Sequence, residues 1–163
     1  MKQTKQAVPE IHHIGLLVQD MNKAIEHYTQ LGLGPFRIAE AISAKKPDTK
    51  IRIGMSYMIG SMGLELIQVV QGNPFYVSYL ERHGEGMHHV AFIVDDADIE
   101  ADKWVKQGAS IASRGTGWAY LDFGYDVFIE FLSRSRIPSL NSRLYPQSSS
   151  QNNDNVKSGD PPK

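Results

Sequence analysis

The chain has 163 residues, a formal net charge of -1 and no cysteine, with 41% hydrophobic and 21% charged residues. This length predicts one compact domain, or two small halves that share a core. The near-neutral charge argues against nucleic acid or an acidic membrane surface as the partner, and without thiols any metal must be held by His, Asp or Glu.

The two ends of the sequence differ from its middle. The first ten residues, MKQTKQAVPE, contain no apolar run of the length that a signal peptide needs, and no segment approaches the roughly 18 consecutive apolar residues of a membrane span. We therefore expect a cytoplasmic protein without a membrane partner. Residues 138–163 are rich in Ser, Asn, Pro and charge, which predicts a disordered or loosely docked tail.

An internal repeat organises the chain. The stretch from His12 to Gly32 aligns without a gap on the stretch from His88 to Gly108, so that "HHIGLLVQD" matches "HHVAFIVDD". In both copies a buried apolar strand is followed by an Asp suited to an N-cap, and then by an amphipathic helix that ends near a Gly. The recurrence predicts two copies of one structural unit.

Each unit has a βαβββ pattern. The first module covers about residues 10–72, with a helix over Met21–Leu31 and strands in "PFRIAEAI", "KIRIGMSYMI" and "LELIQVV". A linker over 73–86 contains a helical segment, and the second module covers about 87–133, with a helix over Ala97–Gln107 and strands in "SIASRG", "WAYLDF" and "VFIEFL". We expect an α+β fold with a single domain over residues 10–133.

Acidic residues in the last strand of each module suggest a site. Glu65 lies in "GLELIQVV" and Glu130 in "DVFIEFL", each between residues that favour burial. A single Glu in a strand more often points to solvent, but the recurrence at equivalent positions favours burial of both. An unpaired buried carboxylate is costly, so each one needs a partner.

Histidines at the start of each module are the candidate partners. Two imidazoles and two carboxylates form a ligand set that suits Zn, Ni, Co, Mn or Fe. Strand alternation places His13 and His89 towards the cavity with these carboxylates. The same alternation sends His12 and His88 to the helix side of the sheet or its edge, where packing or a hydrogen bond is the expected role.

These motifs resemble the vicinal oxygen chelate superfamily, which includes glyoxalase I, methylmalonyl-CoA epimerase, extradiol dioxygenases and bleomycin-resistance proteins. The resemblance covers about residues 10–133 and is closest to the epimerase-like branch, through "HHIGLLVQDMNKAIEHYTQLGLGPF" and "FYVSYLERHGEGMHHVAFIVDD". It implies two tandem βαβββ modules that form a curved mixed sheet around a metal-binding cup. The ligands it implies for one divalent ion are His13, Glu65, His89 and Glu130.

The resemblance also implies a reaction and a base. The family's metal chelates two oxygens of the substrate and stabilises an enolate, with Glu130 as a ligand that also moves the proton. Family epimerases carry a second acid in the first module, and here only Asp48 is acidic in "SAKKPDTKIRIG", with Glu40 as a weaker substitute. The last hairpin departs from the family's "DPxG" turn and carries four aromatic residues, Trp118, Tyr120, Phe123 and Tyr125, which either shape a pocket or pack within the hairpin.

The implied function is an epimerase or isomerase acting on an acyl-CoA or 2-oxo compound, in a homodimer. A basic segment, Lys45, Lys46, Lys50 and Arg52, either receives an anionic substrate tail or is a solvated loop. The alternatives are a glyoxalase I-like lactoylglutathione lyase, an Fe(II) extradiol dioxygenase, and a small-molecule binding protein of the same fold without catalysis. An extradiol site needs two His and one carboxylate with open positions, so Glu65 as a fourth ligand argues against it.

Overall fold

A computed structural model describes residues 9–43, 46–59 and 62–137. The predicted tail, residues 138–163, lies outside this range. Eight strands, three α-helices and a short 3₁₀ helix follow one another: β1 Glu10–Leu17, α1 Met21–Gln30, β2 Arg37–Ser43, β3 Lys46–Ile59, β4 Met62–Gln71, α2 Pro74–His83, β5 Gly86–Val94, α3 Ala97–Val105, β6 Ser110–Gly115, β7 Trp118–Asp122, β8 Phe128–Ser133 and the 3₁₀ turn Arg134–Arg136. Within the described ranges, no helix has the length and apolarity of a membrane span.

The strands form one mixed sheet in the order β2-β3-β4-β1-β5-β8-β7-β6. Each module is a four-stranded unit in which the first strand pairs in parallel with the last, β1 with β4 and β5 with β8. The antiparallel pairing of β1 with β5 joins the two modules at the centre. The α+β architecture and the curled half-barrel of two βαβββ modules are as predicted.

One boundary differs from the prediction. The polar residues 46–49 were expected in a loop, whereas β3 begins at Lys46. Lys46 pairs with Ser43 of β2, whereas pairing with β4 begins at Lys50, so this stretch joins the strand although it lacks the apolar pattern that marks one.

Aspartate caps start both repeat helices. The Asp20 carboxylate accepts hydrogen bonds from the backbone N–H groups of Asn22 and Lys23, at 3.0 and 3.2 Å. Asp96 does the same for Asp98 and Ile99, at 2.9 and 3.0 Å. These bonds satisfy N–H groups that have no partner within the helix and fix where each helix begins.

Both repeat helices cover the same face of the sheet. Helix α1 buries Met21 against Val18 and Leu66 of the first module. Helix α3 packs Ala97 and Ala101 against the second module, in a core cluster that also contains Val94, Ala109, Ala119, Leu121 and Phe131. The small alanines let α3 lie close to the strands, and the opposite, concave face remains for a site.

Helix α2 closes one end of the concave face. Its buried residues Tyr76 and Tyr79 pack in a cluster that draws on both modules, with Leu17, Ile67, Tyr120 and Phe128. The Tyr79 hydroxyl lies 2.6 Å from the carbonyl oxygens of Met87 and Asp126. The linker between the modules is therefore part of the core.

Replacement of Asp96 by Ala tests the capping role. Loss of the two accepted hydrogen bonds is expected to lower the free energy of unfolding by about 1 kcal/mol in urea denaturation. The matched control is Asp95→Ala, because that side chain is 98% exposed and lies 3.6 Å from Arg134 in a solvent-screened pair. Equal stability of the two variants would contradict the assignment.

Candidate metal centre

Strand register brings the predicted ligands together at the junction of the modules. Gly15 lies opposite Glu65 on β4 and opposite His89 on β5. In the second module, Ala91 lies opposite Glu130 on β8 and opposite His13 on β1. The two small residues are thus each flanked by one His and one Glu, and the four functional side chains share the concave face.

The four side chains meet at one point. The Nε2 atoms of His13 and His89 are 2.9 Å apart. The Oε2 atom of Glu65 lies 3.3 Å from His13 Nε2 and 3.4 Å from His89 Nε2, and the Oε2 atom of Glu130 lies 3.4 Å from each. All four residues are buried.

This spacing fits a divalent ion. Ligand atoms about 2.0 to 2.1 Å from a tetrahedral ion lie about 3.3 Å from one another, which is close to the observed separations. His13, Glu65 and His89 have ligand atoms that all lie within 4.8 Å of one another, and Glu130 reaches both imidazoles at 3.4 Å. Two nitrogens and two carboxylate oxygens suit Zn, Co, Ni, Mn or Fe. His13, Glu65, His89 and Glu130 would hold the ion.

The electrostatics of the cluster favour charged side chains. Burial alone would lower the pKa of His13, but Glu65 and Glu130 raise it above its ordinary value. The same balance raises the pKa of His89. Burial alone would raise the pKa values of Glu65 and Glu130, yet the two imidazoles hold both below their usual range. Without an ion, the carboxylates therefore favour protonation of the imidazoles, and the imidazoles favour ionised carboxylates.

The first histidines of the two doublets do not lie on the face of the sheet that α1 and α3 cover, where strict alternation predicted them. His12 lines the cavity, and its Nδ1 lies 2.8 Å from Nδ1 of His13. His88 is fully buried, with its Nδ1 3.0 Å from Nδ1 of His89. A register shift in the β1–β5 pairing lies at each position, so alternation fails there. The expected role in packing and hydrogen bonding agrees with these contacts.

A glycine provides the space that His89 occupies. A Cβ atom added to Gly15 would lie 1.9 Å from Cε1 and 2.5 Å from Nε2 of the His89 ring. Those separations are far below van der Waals contact, and the ring is held by packing on all sides. Only glycine at position 15 is compatible with the observed position of the His89 ring.

A cavity of about 370 Å³ opens beside the four candidate ligands. Its walls are mainly apolar, with aliphatic side chains from β3, β4 and β8 and aromatic side chains from α2 and β7: Ile51, Ile53, Ile67, Leu132, Phe75, Tyr76, Trp118 and Tyr120. Asn73, Ser113 and Arg136 add polar groups. A mainly apolar pocket beside a potential metal centre suits a small organic substrate.

The structure does not bring Asp48 to this cavity. Thr49, Ile51 and Ile53 of β3 line the wall, and Asp48 is exposed and absent from the lining. Period-two alternation along the strand accounts for the difference. Glu40 borders the cavity, but its carboxylate forms a 2.8 Å ion pair with Lys50.

The basic segment is largely engaged within the protein. Lys50 pairs with Glu40, and Arg52 donates hydrogen bonds to Gln68 and Asn22 at 3.2 and 3.4 Å. Lys45 lies outside the described residues, as does the side chain of Lys46. The described part of this segment gives no support to an anion site.

The aromatic residues of the last hairpin have different roles. Trp118 and Tyr120 line the cavity, whereas Phe123 packs on Trp104 of α3 and Tyr125 is 80% exposed. Sequence reasoning missed Tyr76, whose hydroxyl lies 3.3 Å from that of Tyr120. The aromatic spacing in "FYVSY" is the signal that could have placed the linker helix against the site.

Replacement of Gly15 by Ala tests the packing of His89. The new methyl group must displace the ring, so the affinity for Zn²⁺ or Co²⁺ is expected to fall about 10- to 100-fold, measured by chelator competition. Gly54→Ala is the control, since its Cβ would come closest to Met21 Sδ, at the far end of a flexible side chain, at 3.0 Å, and would make ordinary contacts of 3.7 and 3.8 Å with Ile25 and Leu66. Unchanged affinity in the Gly15 variant would rule out the packing constraint.

Comparisons with solved structures show the same fold. The methylmalonyl-CoA epimerase from Mycobacterium tuberculosis matches with 23% identity and a TM-score of 0.59, over 76% of this chain and 86% of that chain. A Streptomyces coelicolor methylmalonyl-CoA epimerase variant, in complex with 2-nitronate-propionyl-CoA, matches with 20% identity and a TM-score of 0.58, over 77% and 97%. A variant of 4-hydroxymandelate synthase from Streptomyces coelicolor matches with 17% identity and a TM-score of 0.57, over 76% and 48%. At these identities the likeness concerns the fold alone.

The sequence itself also carries a family signature. No curated protein shows significant similarity to it. A family model for the glyoxalase/bleomycin resistance protein/dioxygenase superfamily matches residues 12–126, which cover most of both modules up to β8 and include three of the four candidate ligands. The chain belongs to the glyoxalase/bleomycin resistance protein/dioxygenase superfamily.

Proposed function

We propose that this protein is a divalent-metal-dependent isomerase, epimerase-like in its chemistry, that removes a proton from the carbon beside a substrate carbonyl. The observation that carries the proposal is the buried set of His13, Glu65, His89 and Glu130 at the base of an apolar cavity. Each carboxylate contacts both imidazoles, and His13, Glu65 and Glu130 line the cavity, while His89 is fully buried in contact with them. A drug-sequestering protein of this fold has no need of such a set.

Glu130 is the proposed base. A bound divalent ion supplies a Lewis acid that stabilises negative charge on a substrate oxygen. The Glu130 carboxylate takes the proton from the adjacent carbon, and the electron pair of the broken C–H bond moves onto the carbonyl oxygen. Tyr120 lies opposite Glu130 in the β7–β8 register and contacts Tyr76. Burial raises the pKa of both tyrosines, so both remain hydrogen-bond donors.

The proposed substrate is an acyl-CoA or a 2-oxo compound with a small apolar body. The aromatic and aliphatic walls fit such a body, and two similar structures are epimerases described with methylmalonyl-CoA or a propionyl-CoA analogue. Arg136 lies in the lining on the side of the second module. Cytoplasmic location and a homodimer remain predictions.

A glyoxalase I-like lyase is the second candidate. Two-base epimerisation needs an acid on each face of the substrate, but Asp48 is absent from the cavity lining and the Glu40 carboxylate at its border is paired with Lys50. Glu65 and Glu130, which come from different modules, are the carboxylates in contact with the paired imidazoles. A lyase of this kind moves one proton between adjacent carbons of the substrate. A single carboxylate can remove that proton and return it, so no acid is needed in addition to Glu65 and Glu130. Four candidate ligands disfavour an extradiol dioxygenase.

The pH dependence of metal binding tests the ligand set. The carboxylates raise the pKa of His13 to about 10 and also raise the pKa of His89, so at least the His13 imidazole carries a proton at neutral pH that an ion must displace. Between about pH 6 and pH 8, affinity for Zn²⁺ is expected to rise about 10- to 100-fold per pH unit, for one or two released protons. Calorimetry in buffers of different ionisation enthalpy counts those protons. Affinity independent of pH would exclude imidazole ligands.

Replacement of Glu130 by Gln tests the proposed base. At saturating metal, deuterium uptake from D₂O into a panel of acyl-CoA thioesters and 2-oxo acids is expected to fall about 10²- to 10⁴-fold, because the amide accepts no proton. NMR follows the exchange, and the chirality of the product distinguishes epimerisation from transfer to a neighbouring carbon.

Glu65→Gln is the matched control for this variant. It removes the symmetry-related ligand, so its metal affinity is expected to fall by a similar factor while it retains more of the exchange at saturation. Equal loss of exchange in both variants would show that Glu130 has no special role as base. If no panel compound exchanges a proton with the metal-loaded protein, the enolate chemistry itself is wrong.

A further inference from the structure

The first histidine of each doublet occupies a β-bulge. Along β1 and β5, Ile11 pairs with Phe92 and His13 with Ala91, which leaves His12 as the extra residue on β1. Gly15 pairs with His89 and Leu16 with Met87, which leaves His88 as the extra residue on β5. The two bulges occupy equivalent positions in the two modules. A bulge redirects a side chain, and here each one turns the first histidine towards the second.

Both doublets make the same contact. The Nδ1 atoms of His12 and His13 are 2.8 Å apart, and those of His88 and His89 are 3.0 Å apart. In both pairs the rings are edge to face, with interplanar angles of 74° and 86°. The contact is repeated in two modules whose surroundings differ, so it does not depend on one local packing arrangement.

The direction of these hydrogen bonds follows from the geometry of the centre. His13 and His89 point their Nε2 atoms at each other and at the two carboxylates, so Nε2 is the ligating atom. A neutral imidazole that ligates through Nε2 carries its proton on Nδ1 and must donate it. The neighbouring histidine then accepts through its own Nδ1 and carries its proton on Nε2.

The surroundings of His88 agree with this assignment. The ring is fully buried in an aromatic cage, with centroid distances of 4.7 to 5.7 Å to Phe75, Tyr76, Tyr79, Tyr120 and Phe128. Its Nε2 is buried without a hydrogen-bond partner among the described residues. In this cage an Nε2–H group can interact weakly with aromatic ring faces, whereas an Nε2 lone pair has no donor to accept from. Phenylalanine would fill the cage and leave no polar atom unsatisfied. What histidine adds at position 88 is therefore its Nδ1 acceptor.

We propose that His12 and His88 are positioning residues, each of which accepts a hydrogen bond from Nδ1 of the adjacent ligand and so holds that ligand in the tautomer whose Nε2 binds the ion. The inference rests on the metal centre of the proposed function. In most metalloproteins a carboxylate or a backbone carbonyl has this role. A neutral imidazole orients the ligand without adding negative charge, so Glu65 and Glu130 remain the anionic groups in contact with the ligating imidazoles.

Paired substitutions separate the acceptor from the packing. Asparagine places its Oδ1 close to where histidine has Nδ1, whereas leucine has nearly the same shape and no acceptor. His12→Leu and His88→Leu are each expected to weaken Zn²⁺ and Co²⁺ binding about 10- to 100-fold, measured by chelator competition. His12→Asn and His88→Asn are expected to retain most of the affinity. His27→Leu, on the exposed face of α1, is the surface control.

Two further readouts identify the mechanism. In the zinc-loaded protein, ¹⁵N NMR of His13 and His89 is expected to show protonated Nδ1 and metal-bound Nε2 in the wild type and the Asn variants. In the Leu variants, mixed or broadened ring signals are expected. Thermal unfolding of the metal-free proteins checks the fold, because a packing defect would lower the stability of the Asn and Leu members of a pair equally.

Equal metal affinity of the Asn and Leu variants, together with unchanged ring tautomers, would overturn the inference and leave the proposed function intact. Failure of the wild-type chain to bind any divalent ion would overturn the centre and the inference together. Rescue by Asn in both modules would establish the acceptor role.

Discussion

Two carboxylates buried at the centre of a sheet impose the main constraint on this molecule. Glu65 and Glu130 are only 8% and 6% exposed, so water solvates them poorly and each needs a positive partner at contact distance. The imidazoles of His13 and His89 meet that need at 3.3 to 3.4 Å, as proton carriers or as co-ligands of a divalent ion. The curvature of the sheet, the small residues opposite the ligands and the enclosure by α2 all serve to hold these four groups together.

The internal repeat made it possible to predict the fold and the four candidate ligands from the sequence. A single histidine or glutamate in a strand says little about function, but the same residue types at equivalent positions of two modules indicate a shared site. Helix starts at Asp20 and Asp96 were equally visible, because a capping side chain acts on the two or three residues that follow it. The helix starts could therefore be predicted from local capping chemistry, and the fold and candidate ligands from the repeat.

What could not be predicted depends on contacts between strands. The bulges at His12 and His88 arise from the pairing of β1 with β5, and strict alternation along one strand gave the wrong face for both. The Asp48 side chain was expected in a loop, but its backbone belongs to β3, and the cavity wall is formed by its neighbours instead. The sequence places Tyr76 in the linker between the modules, and it reaches the cavity only because α2 packs into the core.

The position of the centre also matters for the integrity of the chain. Each module contributes one histidine and one glutamate, and the β1–β5 ladder between them is the direct pairing of the two halves within the sheet. An ion held by all four would cross-link the halves across that ladder, much as a disulfide joins distant segments in chains that have cysteine. Neither half contains a complete ligand set, so the binding energy of the ion would act as cohesion between the two copies of the repeat.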